Sequence, residues 1–256
     1  MINRTVMYET RESVAYLTLN RPDTGNAVDL EMSTELKEAC SYVKQQDDLR
    51  VLVVTGFGDR DFCSGEDAAG FGTIPRGELD RWCNLAEAVS QVEIPVIAAI
   101  NGNISGIGLA ISLACDLRIA SENAVFSIQG NSDTYLLPTG LTQWLPRIVG
   151  IGKASEMMLV GEPINAQEAH RIGLVHRIVP HADVMAEAEK LARGISSKGP
   201  VALKYGKEAV CKGLDMTLEQ GLRLECDLYM IIHSTADRRE GITSFLQKRT
   251  PQFECK

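Results

Sequence analysis

The sequence predicts an α/β fold that passes into a helical region at its C-terminal end. Three observations carry this expectation: short β-branched runs bounded by polar or glycine residues, stretches of helical apolar spacing between them, and no strand pattern beyond residue 199. Residues 14–19 (VAYLTL) and 51–55 (VLVVT) read as buried strands. Between them Leu36, Ala39, Cys40 and Val43 repeat at helical spacing, with Asp29 placed to cap the helix start. A second unit follows: a helix over about 79–92, a strand at 95–100, a glycine-rich turn, and an apolar helix over about 106–115. From Thr142 onward helix dominates, with 165–168 and 217–220 shaped like capping boxes. One further strand is expected at 175–179. The chain divides at 1–198 and 199–256 without a low-complexity linker, the second part reading as a helical appendage that packs on the core or on another subunit.

A chain of 256 residues, 45% hydrophobic and 23% charged, is long enough for one substantial core and a smaller appendage. Asn3, Arg4 and Glu9 interrupt the first residues, so neither a secretory signal nor a membrane span is expected, and the expected address is the cytoplasm. A net charge of -8 works against affinity for nucleic acid, which needs a concentrated excess of Lys and Arg. Seven cysteines show no CxxC pair and read as reduced thiols. Four histidines lack any HExxH spacing, so no metal is expected.

The segment 100–110 (INGNISGIGLA) runs from a buried strand directly into a helix. Its glycines allow a sharp turn and leave N–H groups at a helix start free to face a ligand. The spacing fits neither GxGxxG nor GxxxxGK[ST], which leaves a tight packing turn as the plainer reading. A second tight turn, 61–67 (DFCSGED), follows the earlier strand.

Together these turns resemble the crotonase, or enoyl-CoA hydratase/isomerase, family. The resemblance extends through 19–22 (LNRP) with Asn26 and Ala27, then 94–102 (IPVIAAING), 115–120 (CDLRIA), Ala169 with Gly173 to Val175, 237–241 (DRREG), and the closing Lys248-Arg249-x-Pro251-x-Phe253. It implies a crotonase-like spiral of β-β-α turns with a C-terminal helical region, assembled as a homotrimer or a dimer of trimers. It also implies an acyl-CoA thioester as partner, with coenzyme A belonging to the substrate and no separate cofactor. The thioester carbonyl would be held by the backbone N–H groups of Glu66 and Ile107, donors that stabilise charge developing on an enolate oxygen. By the same resemblance Ser64, Glu66, Asp67 and Ala68 follow the CoA arm, with Arg21 and Ala27 nearby and Gly106 and Gly130 at the substrate. Asp67 also reads as a loop-stabilising side chain that binds backbone N–H groups.

A hydratase of this family carries two carboxylates, and their positions fall on Ala110 and Gly130. Neither residue transfers protons, so an acid or base must come from elsewhere. Glu66, Asp133 and Tyr135 are the side-chain candidates; their plainer readings are a solvated loop carboxylate, a loop cap and a packing ring. Dihydroxynaphthoyl-CoA synthases share the glycine at position 130, but their aspartate position is Leu137 here, four residues beyond Asp133. Cys63 reads as a packed thiol. The expected function is therefore acyl-CoA processing through a stabilised thioester enolate, with hydration or lyase chemistry, isomerisation, decarboxylation and C–C hydrolysis all open. The alternative is a catalytically silent CoA-ester binder; RNA binding is the weakest reading.

Overall fold

The computed structural model describes residues 4–67, 84–128 and 139–254. Strands β1 (Val6–Arg11) and β2 (Val14–Leu19) form an antiparallel hairpin. Helix α1 (Leu30–Lys44) follows, and Asp29 caps it by accepting from the Met32 N–H at 2.8 Å. Leu36, Ala39, Cys40 and Val43 are buried along one face of α1, as their spacing predicts. Strands β3 (Val51–Gly56) and β4 (Asp61–Cys63) come next, then α2 (Leu85–Ser90), within the helix expected over about 79–92, of which residues 79–83 lie outside the described residues. Strands β5 (Val96–Ile100) and β6 (Asn103–Ser105) lead into α3 (Gly106–Ala114), and β7 (Leu117–Ser121) and β8 (Val125–Ser127) follow.

The later half is mostly helical: α4 (Leu141–Val149), α5 (Ile151–Val160), the short β9 (Ile164–Asn165), α6 (Ala166–Arg171), β10 (Arg177–Val179) and α7 (Val184–Ser196). The expected strand at 175–179 is shorter because the Leu174 and Val175 N–H groups both donate to the Ala169 carbonyl, closing the end of α6 before pairing begins. Only half of the expected capping box forms at 165–168: Asn165 caps the Glu168 N–H, while the Glu168 carboxylate turns to Arg171 and Lys153. The box at 217–220 is complete.

Six strands form one sheet in the order β1-β2-β3-β5-β7-β10, parallel except for the first hairpin. Alternation within these strands splits the core in two. Leu52, Val54, Ala98 and Ile100 face the side that holds α1 and α3, whereas Val51, Val53, Ile97 and Ala99 face Val184, Ala188 and Ala192 of α7. Burial on both faces explains why these strands are continuously apolar rather than alternating. A smaller sheet, β4-β6-β8-β9, stands beside the first and positions the start of α3.

Helices α8 (Pro200–Gly213), α9 (Leu218–Ser234) and α10 (Ala236–Gln247) complete the chain. Lys207 of α8 is tied to the core: its Nζ donates to the Val92 and Ile94 carbonyls at 2.7 and 3.1 Å and pairs with Asp116 at 2.7 Å. After α10 the chain turns back, held by Arg249 on the Glu240 carboxylate and by the Glu254 N–H on Asp237. Leu218, Leu222, Tyr229, Met230, Phe245 and Leu246 nevertheless stand exposed on α9 and α10. No helix among the described residues is long and apolar enough to cross a membrane.

Helix α3 has no exposed residue, so its terminal backbone groups need partners inside the protein. At its C-terminal end the buried Arg118 provides them. The guanidinium donates to the carbonyls of Ser112 (3.2 Å), Cys115 (2.7 Å) and, across the chain, Leu174 (2.7 Å). A cation there also suits the negative end of the helix dipole. Arg118→Met should therefore lower unfolding stability by about 3 kcal/mol in a urea titration, because buried carbonyls lose their donors. A loss below about 1 kcal/mol would show that the carbonyls find other partners.

Candidate active site

The N-terminal end of α3 meets the 61–67 turn, and the two tight turns picked out in the sequence are thus brought together. The turn is pinned from both sides. Its backbone pairs with Val28 through the Val28 N–H to the Gly65 carbonyl and the Asp67 N–H to the Val28 carbonyl, each at 2.9 Å. Ser64 donates through Oγ to the Thr24 carbonyl (2.9 Å), and Ser105, immediately before α3, donates through its Oγ to the Ser64 carbonyl (2.6 Å). Asn26, in a left-handed conformation, donates to the Phe57 and Asp61 carbonyls. Asn26 carried only the family resemblance and Ser105 no sequence signal, because their partners lie some 30 to 40 residues away.

Ser105 caps α3 with no side-chain hydrogen bond, so the first N–H groups of the helix point onward into the turn. There the Ile107 N–H donates to Glu66 Oε1 at 2.9 Å. One of the two donors suggested by the family resemblance, the Ile107 N–H, therefore meets the side-chain carboxylate of the residue that carries the other. Glu66 is only 3% exposed, which removes the reading of a solvated loop carboxylate. Burial pushes its carboxyl above the ordinary range, and the Ile107 N–H pulls it partly back.

Two glycines make this approach possible. A Cβ on Gly106, whose φ is +50°, would lie 2.7 Å from Glu66 Oε2. A Cβ on Gly108 would lie 2.5 Å from the Cβ of Cys63, so α3 rests directly against β4. Cys63 is buried in that contact, its thiol pushed up to about 12 by desolvation, which suits packing and not nucleophilic attack. Ile107 and Ala110, one helical turn apart, are both fully buried.

Arg21 and Asp67 belong to one network. Arg21 donates to the Ala27 carbonyl (2.6 Å) and pairs with Asp67 (2.8 Å) and Asp29 (3.2 Å). Asp67 thus holds the loop through an ion pair with Arg21. Ala68, Gly130, Asp133 and Tyr135 lie outside the described residues. Chemically, the arrangement can bind an oxygen that carries negative charge and can supply a carboxyl group of raised pKa beside it.

The raised pKa has a sign that can be measured. Stability contributed by Glu66 is fully present below the ordinary carboxyl value of 4.5 and is lost as pH rises through the raised value. The melting temperature of Glu66→Gln relative to the unaltered protein should therefore climb as pH is raised from about 4.5 to 7. A constant difference across that range would mean that the carboxyl is not held above its ordinary pKa.

Residues 9–256 match the family model for enoyl-CoA hydratase/isomerase. The chain is 38% identical to (E)-benzylidenesuccinyl-CoA hydratase from Thauera aromatica, covering 97% of this chain and 98% of the relative. It is 35% identical to crotonyl-CoA hydratase from Syntrophomonas wolfei over the whole of both chains. Among solved structures it superposes on an enoyl-CoA hydratase from Bacillus anthracis with a TM-score of 0.95 at 34% identity, covering 98% of this chain and all of the other. The fold, the paired turns and these likenesses lead to one conclusion: the chain belongs to the enoyl-CoA hydratase/isomerase, or crotonase, family.

Proposed function

We propose that this protein is an acyl-CoA enzyme that seats the thioester carbonyl oxygen between the N–H groups of Glu66 and Ile107 and works through the enolate. The observation that carries the reading is the Ile107 N–H at the start of α3, which already holds an acidic oxygen, that of the Glu66 carboxyl, at 2.9 Å. Preorganised donors of this kind typically contribute about 10²- to 10³-fold each to rate, and the positive end of the α3 dipole adds to them. The CoA arm follows Ser64 to Ala68 chiefly through backbone groups. Arg21 shapes that loop, since its guanidinium is engaged by Asp67, Asp29 and the Ala27 carbonyl.

Proton transfer is assigned to Glu66, with Asp133 and Tyr135 as the further candidates, because Ala110 and Gly130 stand where the hydratase carboxylates are expected. The Glu66 carboxyl lies at the Ile107 donor and is shifted by burial toward its protonated form, which suits it to exchanging a proton. Hydration or lyase chemistry, isomerisation, decarboxylation and C–C hydrolysis all pass through such an enolate. The exposed apolar residues of α9 and α10 support assembly through 199–256 into a homotrimer or a dimer of trimers.

The reading is tested by incubating the protein with crotonyl-, 3-hydroxyacyl-, malonyl- and cyclic acyl-CoA thioesters and following products by mass spectrometry. At least one should give an enzyme-dependent product. With that substrate Glu66→Gln should lower turnover about 10²- to 10⁴-fold while still binding CoA esters. Unchanged turnover would remove Glu66 from proton transfer. Binding of the esters without any product would favour a silent CoA-ester binder.

A further inference from the structure

The Ile107 N–H already has an occupant, and it comes from the same chain. We propose that the Glu66 carboxylate is a built-in competitor for the acyl oxygen: it holds the Ile107 N–H in the unliganded protein, and the thioester carbonyl must displace it to bind. The proposal rests on the preceding reading of the site and specifies what binding there requires.

Three features of the structure support it. The seat is shaped for a carboxylate, since a side chain on Gly106 would take the space that Glu66 Oε2 fills. The backbone of the turn is fixed on both sides of Glu66 by its bonds to Val28, so the carboxylate can leave by side-chain rotation while the Glu66 and Ile107 N–H groups stay in place. The carboxylate is also desolvated where it sits, and that cost is relieved when it leaves.

The competition has a direction. A carboxylate accepts a hydrogen bond about twice as strongly as a neutral group, so a ground-state thioester carbonyl is the weaker ligand for that donor. The displacement applies equally to substrate and transition state, and it therefore weakens binding without selecting the enolate. Once displaced, the carboxylate remains tethered by its two methylenes beside the thioester. The competitor and the proton-transfer group of the proposed mechanism are then one side chain in two positions.

The test compares butyryl-CoA with S-butyl-CoA, a thioether that lacks the carbonyl oxygen, by isothermal titration at one pH and salt concentration. In Glu66→Ala the thioester should bind about tenfold tighter than in the unaltered protein, the loss of one charge-assisted hydrogen bond. The thioether should be unchanged. Glu66→Gln, which keeps the shape without the charge, should fall between and serves as the test if the alanine variant does not fold. Equal thioester affinity in all three proteins would overturn the proposal. So would a parallel change for both ligands, which would report only a charge removed near the CoA phosphates. Failure of the unaltered protein and both variants to bind either ligand would instead remove the site reading itself, and the proposal with it.

Discussion

Much of this structure follows from burying both ends of one short helix. A nine-residue helix with no exposed residue leaves its first N–H groups and last carbonyls without water. The protein supplies a cation at one end and an anion at the other: Arg118 gathers the carbonyls of Ser112 and Cys115, and Glu66 receives the Ile107 N–H. Each charge lies at the pole of the helix dipole that favours it. Both partners are long side chains reaching across from other elements, so the helix ends also hold those elements together. Arg118 carries the link onward to Leu174, and Glu66 carries it to the turn that pairs with Val28.

The same requirement shapes the electrostatics of the site. The turn from Ser64 to Asp67 carries two carboxylates, and they are treated differently. Asp67 is matched by Arg21, which is shared with Asp29 and tied to the Ala27 carbonyl. Glu66 has a neutral N–H donor in place of a cation, and burial dominates its titration. Asp67 is therefore held by a cation, while Glu66 is held where its charge is easily given up. An arginine near Glu66 would have cancelled that difference.

The large sheet was legible in the sequence because residues 14–19, 51–55 and 95–100 are buried on both faces and therefore read as continuous apolar runs. Helix α1 was legible for a related reason: one buried stripe and a capping aspartate are local features. Strands β4, β6, β8 and β9, of two or three residues each, are too short to show a period. The end of α6 consumed the first part of the strand expected at 175–179, a competition between neighbouring turns that apolar pattern does not resolve. At the site, the glycines marked the two turns that the structure brings together. The inward rotation of Glu66 was not legible, because it depends on the absence of a side chain at Gly106, 40 residues later. Arg21 and Asp67 stand 46 residues apart, and nothing local pairs them.

The account depends on the carboxylate and the substrate oxygen competing for the Ile107 N–H. A crystal structure of the protein with butyryl-CoA tests that directly. The account predicts the thioester oxygen within hydrogen-bond distance of both the Glu66 and Ile107 N–H groups, with the Glu66 carboxylate rotated out of its unliganded position. A bound ester whose oxygen lies elsewhere while Glu66 still accepts from Ile107 would contradict it.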